Sequence, residues 1–196
     1  MTLFKTLLAG SIAAIFSAGA QAQTTATEVQ RNVNQQERIE QGLQSGQLNT
    51  KEAAKLEKQE ANIERMEKNA LKDGKLNAAE KARIEGAQDR VSKNIAREKH
   101  DVQTGNPQSA SSERMQKNVQ RNVNQQKRIE QGIKSGELKN REVAKLEGKQ
   151  AHVNRREARA GADGFVGKHE QKHIQTAENR ASRKIYREKH DAQTRQ

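Results

Sequence analysis

Val29-Gln30-Arg31-Asn32-Val33-Asn34-Gln35-Gln36 returns, residue for residue, ninety positions on as Val119-Gln120-Arg121-Asn122-Val123-Asn124-Gln125-Gln126. The two valines of the octet stand four apart among long polar side chains, which is the spacing of one helix face and not the alternation of a strand. Outward from it the register holds without a gap to Arg97-Glu98-Lys99-His100-Asp101 and its twin Arg187-Glu188-Lys189-His190-Asp191, and 40 of the 77 positions in 28–104 are identical in 118–194. The chain is read as two copies of one folding unit, and that unit sets the size of any core.

The apolar residues of the first copy continue in threes, fours and sevens: Val29, Val33, Ile39 and Leu43, then Leu56, Ile63, Met66 and Ala70, then Ile84, Ala87, Val91 and Ile95. Glu, Lys, Gln, Arg and Ala fill the intervals, all strong helix formers, and the chain has one proline. Turn residues cluster at Ser45-Gly46, at Lys72-Asp73-Gly74 and along 104–109. Each copy therefore predicts three helices, over 28–44, 50–71 and 78–100 and again over 118–134, 140–160 and 168–190. The fold class is all-α: two tandem three-helix units with the narrow apolar stripes of a helical bundle or coiled coil. The units span 23–103 and 113–196, with a flexible linker over 104–112 around Pro107.

Residues 1–22 read as a secretory signal peptide: Lys5 gives the positive start, 7–18 the apolar stretch, and Ala20-Gln21-Ala22 the cleavage signal before Gln23. The mature protein is then exported and most simply periplasmic, with no later apolar run of membrane-spanning length. The absence of cysteine removes disulfide and thiolate chemistry. Hydrophobic residues make up 31% of the chain, aromatics 2% and charged residues 32%, so the core should be thin. A copy this short lies near the lower limit for independent stability and is expected to lean on the other copy or on partner helices.

The turns carry the most specific local pattern. Ser45-Gly46-Gln47-Leu48-Asn49 with Glu52, and Asp73-Gly74-Lys75-Leu76-Asn77 with Glu80, share Gly, Leu, Asn and a Glu three residues later; Ser135-Gly136-Glu137-Leu138 with Glu142 and Asp163-Gly164-Phe165-Val166 with Glu170 repeat the pattern more loosely. This resembles the second half of an EF-hand loop in degenerate form, and the resemblance implies a calcium loop whose ligands would be Asn69, Asp73, Asn77 and Glu80. The first and third loop positions, such as Gln41 and Leu43, are not oxygen-rich. The same residues also make ordinary helix punctuation: Gly ends one helix, Leu packs inward, and Asn with Glu forms a capping box for the next. With the Lys-His-Asp endings, the chain is also similar to a broad group of small exported proteobacterial helical proteins with S-G-x-L and D-G-x-L turns, a resemblance that implies location and fold and no activity.

His169-Glu170-Gln171-Lys172-His173 matches H-E-x-x-H, which on a helix places two imidazoles on one face for zinc with Glu as general base. The first copy has Ala79-Glu80-Lys81-Ala82-Arg83 there, so Glu170 reads first as a capping acid. His169 and His173 remain a pair able to hold zinc, copper or nickel, and a zinc peptidase is the remote extension. His100-Asp101 and His190-Asp191 close the third helix of each copy, as metal ligands, as a pH-sensitive contact, or as cations complementing the last carbonyls. No nucleophile triad, phosphate loop or carboxylate pair in an apolar pocket can be assembled, so no enzyme is expected.

Charge separates the copies. Residues 28–104 hold 15 Lys and Arg against 14 Asp and Glu, and residues 118–194 hold 18 against 10. A second copy made basic favours polyanions. In the periplasm these are lipopolysaccharide, anionic lipid or cell-wall polymer, met by Arg155, Arg156, Arg159, Arg180, Arg183, Lys184 and Arg187. Nucleic acid is disfavoured, because Tyr186 is the only tyrosine and there is no tryptophan to stack on bases.

Overall fold

The computed structural model describes residues 13–191, with side chains from Ala22 onward. The signal-peptide reading thus lies outside the described residues over 1–12, and 13–22 form the opening turns of the first helix. The helices are α1 (Ala13–Ser45), α2 (Thr50–Ala70), α3 (Ala78–Glu98), α4 (Ala110–Lys134), α5 (Asn140–Ala160) and α6 (Lys168–Lys189), with a short 3-10 turn at Leu71–Asp73. Among the described residues there is no strand.

Local chemistry sets these boundaries. Asn49 and Glu52 cap α2 reciprocally, as Asn77 and Glu80 cap α3. The S-G and D-G turns take left-handed backbone at glycine, φ 75° at Gly46 and 93° at Gly74, a conformation that costs other residues free energy. The α4 helix starts eight residues before the predicted Asn118, because Ser109 Oγ accepts from Ser112 N at 3.2 Å and Met115 adds one buried turn to the stripe of Val119 and Val123.

The two copies, whose arrangement the sequence leaves open, pack against each other along their first and second helices. The α2 helix runs antiparallel to α5, with Lys68 against Gly148 and Ala54 against Gly161. The α1 helix packs likewise on α4, with Lys127 Nζ 2.7 Å from Glu37 and Ala26 beside Ile133. These four helices form the centre, while α3 flanks α1 and α2 and α6 flanks α4 and α5. Val29, Leu43 and Leu56 therefore share one apolar cluster with Val119, Ile133 and Leu146. Pairing across the copies removes from water apolar surface that either short copy would otherwise expose. The linker is docked: Gly105 N donates to Gly46 O at 2.8 Å, and Gln116 Nε2 donates to Pro107 O at 2.8 Å. No helix among the described residues is long and apolar enough to cross a membrane.

Candidate functional site

The α2 helix turns four carboxylates inward, Glu57, Glu60, Glu64 and Glu67, and α5 answers with Glu147, Gln150, Asn154 and Glu157, all buried. Spacings of three and four keep each set on one helix face, which is the face the two helices share. Amides from α1 and α4 reach this layer. Gln36 Nε2 donates to Glu57 at 3.0 Å, Asn32 Nδ2 to Glu67 at 2.9 Å and Asn122 Nδ2 to Glu157 at 2.7 Å. Gln126 Nε2 joins the copies by donating to Glu147 at 3.1 Å and to Glu64 at 3.0 Å, and Asn154 Nδ2 donates to both oxygens of Glu64 at 3.0 Å.

Among the described residues none of these six carboxylates is in an ion pair, and neither oxygen of Glu60 has a hydrogen-bond partner. Burial disfavours the charged form. It pushes Glu57 and Glu147 up to about 7, against hydrogen bonds from Gln36 and Gln126 that pull the other way. Burial, with neighbouring carboxylates added, holds Glu60, Glu64, Glu67 and Glu157 well above the usual carboxylate range. Flanking this layer, Glu178 is pushed up to about 7 by burial despite Arg121, whose Nε lies 3.2 Å from it. Burial thus makes every carboxyl of the layer hold its proton more tightly in the folded chain than in the unfolded one. Sequence reasoning missed the layer, although the seam spacing of Glu57, Glu60, Glu64 and Glu67 was a signal.

Of the seven basic residues of the sequence reading, three line one cleft, two line another and two line neither. Arg180, Arg183 and Arg187, exposed on α6, line an open cleft of about 540 Å³ with Ser182, Tyr186 and Arg128 of α4. Arg128 is fixed there, since Nη1 donates to Ser182 Oγ at 2.8 Å and Nη2 to Ser182 O at 3.4 Å. Tyr186 stacks on His190 with ring centroids 4.1 Å apart. Arg155 and Arg159 instead line a cleft of about 530 Å³ with Lys51, Lys55 and Lys58 of α2. Neither cleft is lined by an acidic residue. Arg156 donates to His152 Nε2 at 2.9 Å, and Lys184 pairs with Glu188, so both stand outside the clefts.

The expected metal residues are placed as follows. Asn77 and Glu80 are engaged with each other's backbone in the cap of α3, Asp73 Oδ1 accepts from Lys75 N at 2.9 Å, and Asn69 and Glu80 line a smaller cavity of about 290 Å³. His169 and His173 are exposed with their Nε2 atoms 3.3 Å apart, while Glu170 accepts from Gly167 N at 2.8 Å as a capping acid. Among the described residues no third His, Asp or Glu converges on that pair. His100 and His190 donate from Nδ1 to the carbonyls of Ala96 and Tyr186 at 2.7 and 2.8 Å, which satisfies orphan acceptors of the last helical turns. Comparison with protein-family models, with curated proteins and with solved structures finds no match for this chain.

Proposed function

We propose that the chain is a non-enzymatic exported protein that docks on polyanions of the cell envelope, such as lipopolysaccharide, through its second copy. The observation that carries this reading is the α6 cleft: four guanidinium groups, an exposed tyrosine and a serine around one opening, with no carboxylate in its wall. Guanidinium forks match phosphate and carboxylate geometry, and Arg128 is already oriented by Ser182 at little further entropic cost. The first copy carries Arg38, Arg90, Lys93, Ala96 and Arg97 at the corresponding positions, without the tyrosine and with a lysine in place of Arg183.

Binding of the full chain to lipopolysaccharide micelles, followed at two salt concentrations, tests the reading. Counterion release makes affinity fall on the order of tenfold or more between about 50 and 200 mM salt. Arg183→Ala with Arg187→Ala should weaken binding and flatten that salt dependence while the helical circular dichroism is kept. Salt-independent binding, or binding that the double variant leaves intact, would sink the proposal.

A second reading is a transition-metal site at His169 and His173, favoured by their 3.3 Å separation. Two nitrogens each about 2.1 Å from a tetrahedral ion lie about 3.4 Å apart, so a helix alone presents this edge. Zinc or copper should raise the melting temperature of the protein, and His173→Ala should abolish that rise. The peptidase extension gains no support here, because Glu170 is engaged as a cap and no third ligand converges among the described residues.

A further inference from the structure

The two copies each close with three carboxylates that sequence spacing does not bring together: Glu52 at the start of α2 with Glu98 and Asp101 at the end of α3, and Glu142 with Glu188 and Asp191 at the corresponding places. In each trio one oxygen per residue lies within 4.8 Å of the other two. Carboxylates at this distance repel unless a cation stands among them or protons neutralise them.

Glu52 supplies the independent observation. It is 1% exposed, and its Oε2 accepts from Asn49 N at 3.0 Å in the helix cap. Its other oxygen, Oε1, is buried with no hydrogen-bond partner among the described residues. A cap needs one oxygen, so capping leaves the second unexplained, and a buried carboxylate oxygen without a partner carries a desolvation cost. The neighbouring cations do not remove it: Lys55 Nζ stands 3.9 Å from Glu98 and Arg97 Nη2 3.4 Å from Glu98, and neither pairs with Glu52. Asp101 Oδ1 accepts from Gln103 N at 2.9 Å. In the second copy Glu142 Oε2 accepts from Lys139 N at 2.7 Å, while Glu188 meets Lys145 at 3.7 Å and also Lys184.

We infer that the trio of Glu52, Glu98 and Asp101 is a calcium site, which ties the start of α2 to the end of α3. All ligands are oxygen, which selects a hard cation. Calcium takes oxygens at about 2.3–2.6 Å in irregular geometry, so two of its ligands stand up to about 5 Å apart, which suits this spacing better than the tight octahedron of magnesium. With three carboxylates and the rest water, affinity falls in the range of extracellular calcium modules, with Kd on the order of 10⁻⁴–10⁻³ M. The site shares no residue with the α6 cleft or the histidine pair, and it stands or falls apart from the polyanion reading.

Calorimetric titration of the full chain with calcium chloride tests the inference, beside thermal melts in EDTA and in excess calcium. The expected result is one calcium ion per chain and a melting temperature raised by about 2–4 °C. Glu52→Gln retains a carbonyl oxygen for Asn49 N, so its melt in EDTA should match the unmodified protein while its calcium binding is lost. Asp101→Asn should likewise lose the site. No saturable calcium binding at millimolar concentration, calcium binding that Glu52→Gln leaves unchanged, or binding of magnesium in preference to calcium would each overturn the inference.

Discussion

Among the described residues Glu57 accepts a single hydrogen bond, from Gln36 at 3.0 Å, and has no cation in contact, so the free energy of its charge in the folded chain is set by burial. Its rise from an ordinary 4.5 to about 7 corresponds to about 3 kcal/mol between the two protonation states. Because the folded form holds the proton more tightly, this stabilisation is present in full below about pH 4.5 and lost as pH rises through about 7. Glu57→Gln keeps an acceptor for Gln36 and cannot ionise. Urea unfolding at pH 8 should therefore find the variant more stable by up to about 3 kcal/mol, with near equality at pH 4.5. A variant weaker than the unmodified protein at pH 8 would show that the charged carboxylate is itself stabilised by a counter-charge in the folded chain. Glu64 differs, since removing its side chain leaves the amides of Gln126 and Asn154 short of an acceptor.

At the scale of the helix, the sequence was legible wherever period and punctuation agreed. Val29, Val33, Ile39 and Leu43 on α1, and Ile84, Ala87, Val91 and Ile95 on α3, are all buried as their spacing predicts, and the capping residues Asn77 and Glu80 stand where the turn pattern puts them. The carboxylate layer was not legible, because glutamate is both a good helix former and the commonest solvated filler, so Glu57, Glu60, Glu64 and Glu67 read as surface despite their seam spacing. The α6 cleft was half legible: Arg180, Arg183 and Arg187 follow from helical spacing, but Arg128 arrives from another helix and no spacing announces it. The carboxylate trios were hidden for the same reason, joining residues from the ends of two helices. Glycine position also carried more than turn chemistry. Gly132 lies inside α4, where a methyl would meet Leu138 Cδ1 and Cγ at 2.7 Å, and Leu138 is fully buried. Gly132→Ala should gain up to about 1 kcal/mol of helix propensity and lose about 1–3 to overpacking. A lowered melting temperature is the expected outcome, and a raised one would show that the α4–α5 turn has room to shift.

At the scale of the whole molecule the shared core makes each copy depend on the other. Residues 113–196 alone would expose the α5 face that α2 covers, so the isolated copy should lose helical circular dichroism on dilution, where the full chain should not. The same interface decides how the protein responds to pH. Glu57, Glu147 and Glu178 are raised to about 7, and Glu60, Glu64, Glu67 and Glu157 well above their ordinary value, whereas the unfolded chain titrates all of them near 4.5. Between those limits the folded state binds more protons than the unfolded one, so the slope of stability with pH is negative. This is the reverse of ordinary acid denaturation, in which paired carboxylates have depressed values and acid weakens the fold. One opposing effect sets the lower limit. The chain carries a formal charge of +12 at pH 7, and neutralising the surface carboxylates below about pH 4.5 increases its self-repulsion. Stability should therefore peak between about pH 4.5 and 6 and decline toward pH 8, by more than the single Glu57 group accounts for. Urea midpoints measured at half-unit steps from pH 4 to 9 would trace this curve, and Glu57→Gln combined with Glu147→Gln should flatten it. A midpoint that stays level or climbs from pH 5 to 8 would mean that the glutamate layer is ionised in the folded protein and held by counter-charge.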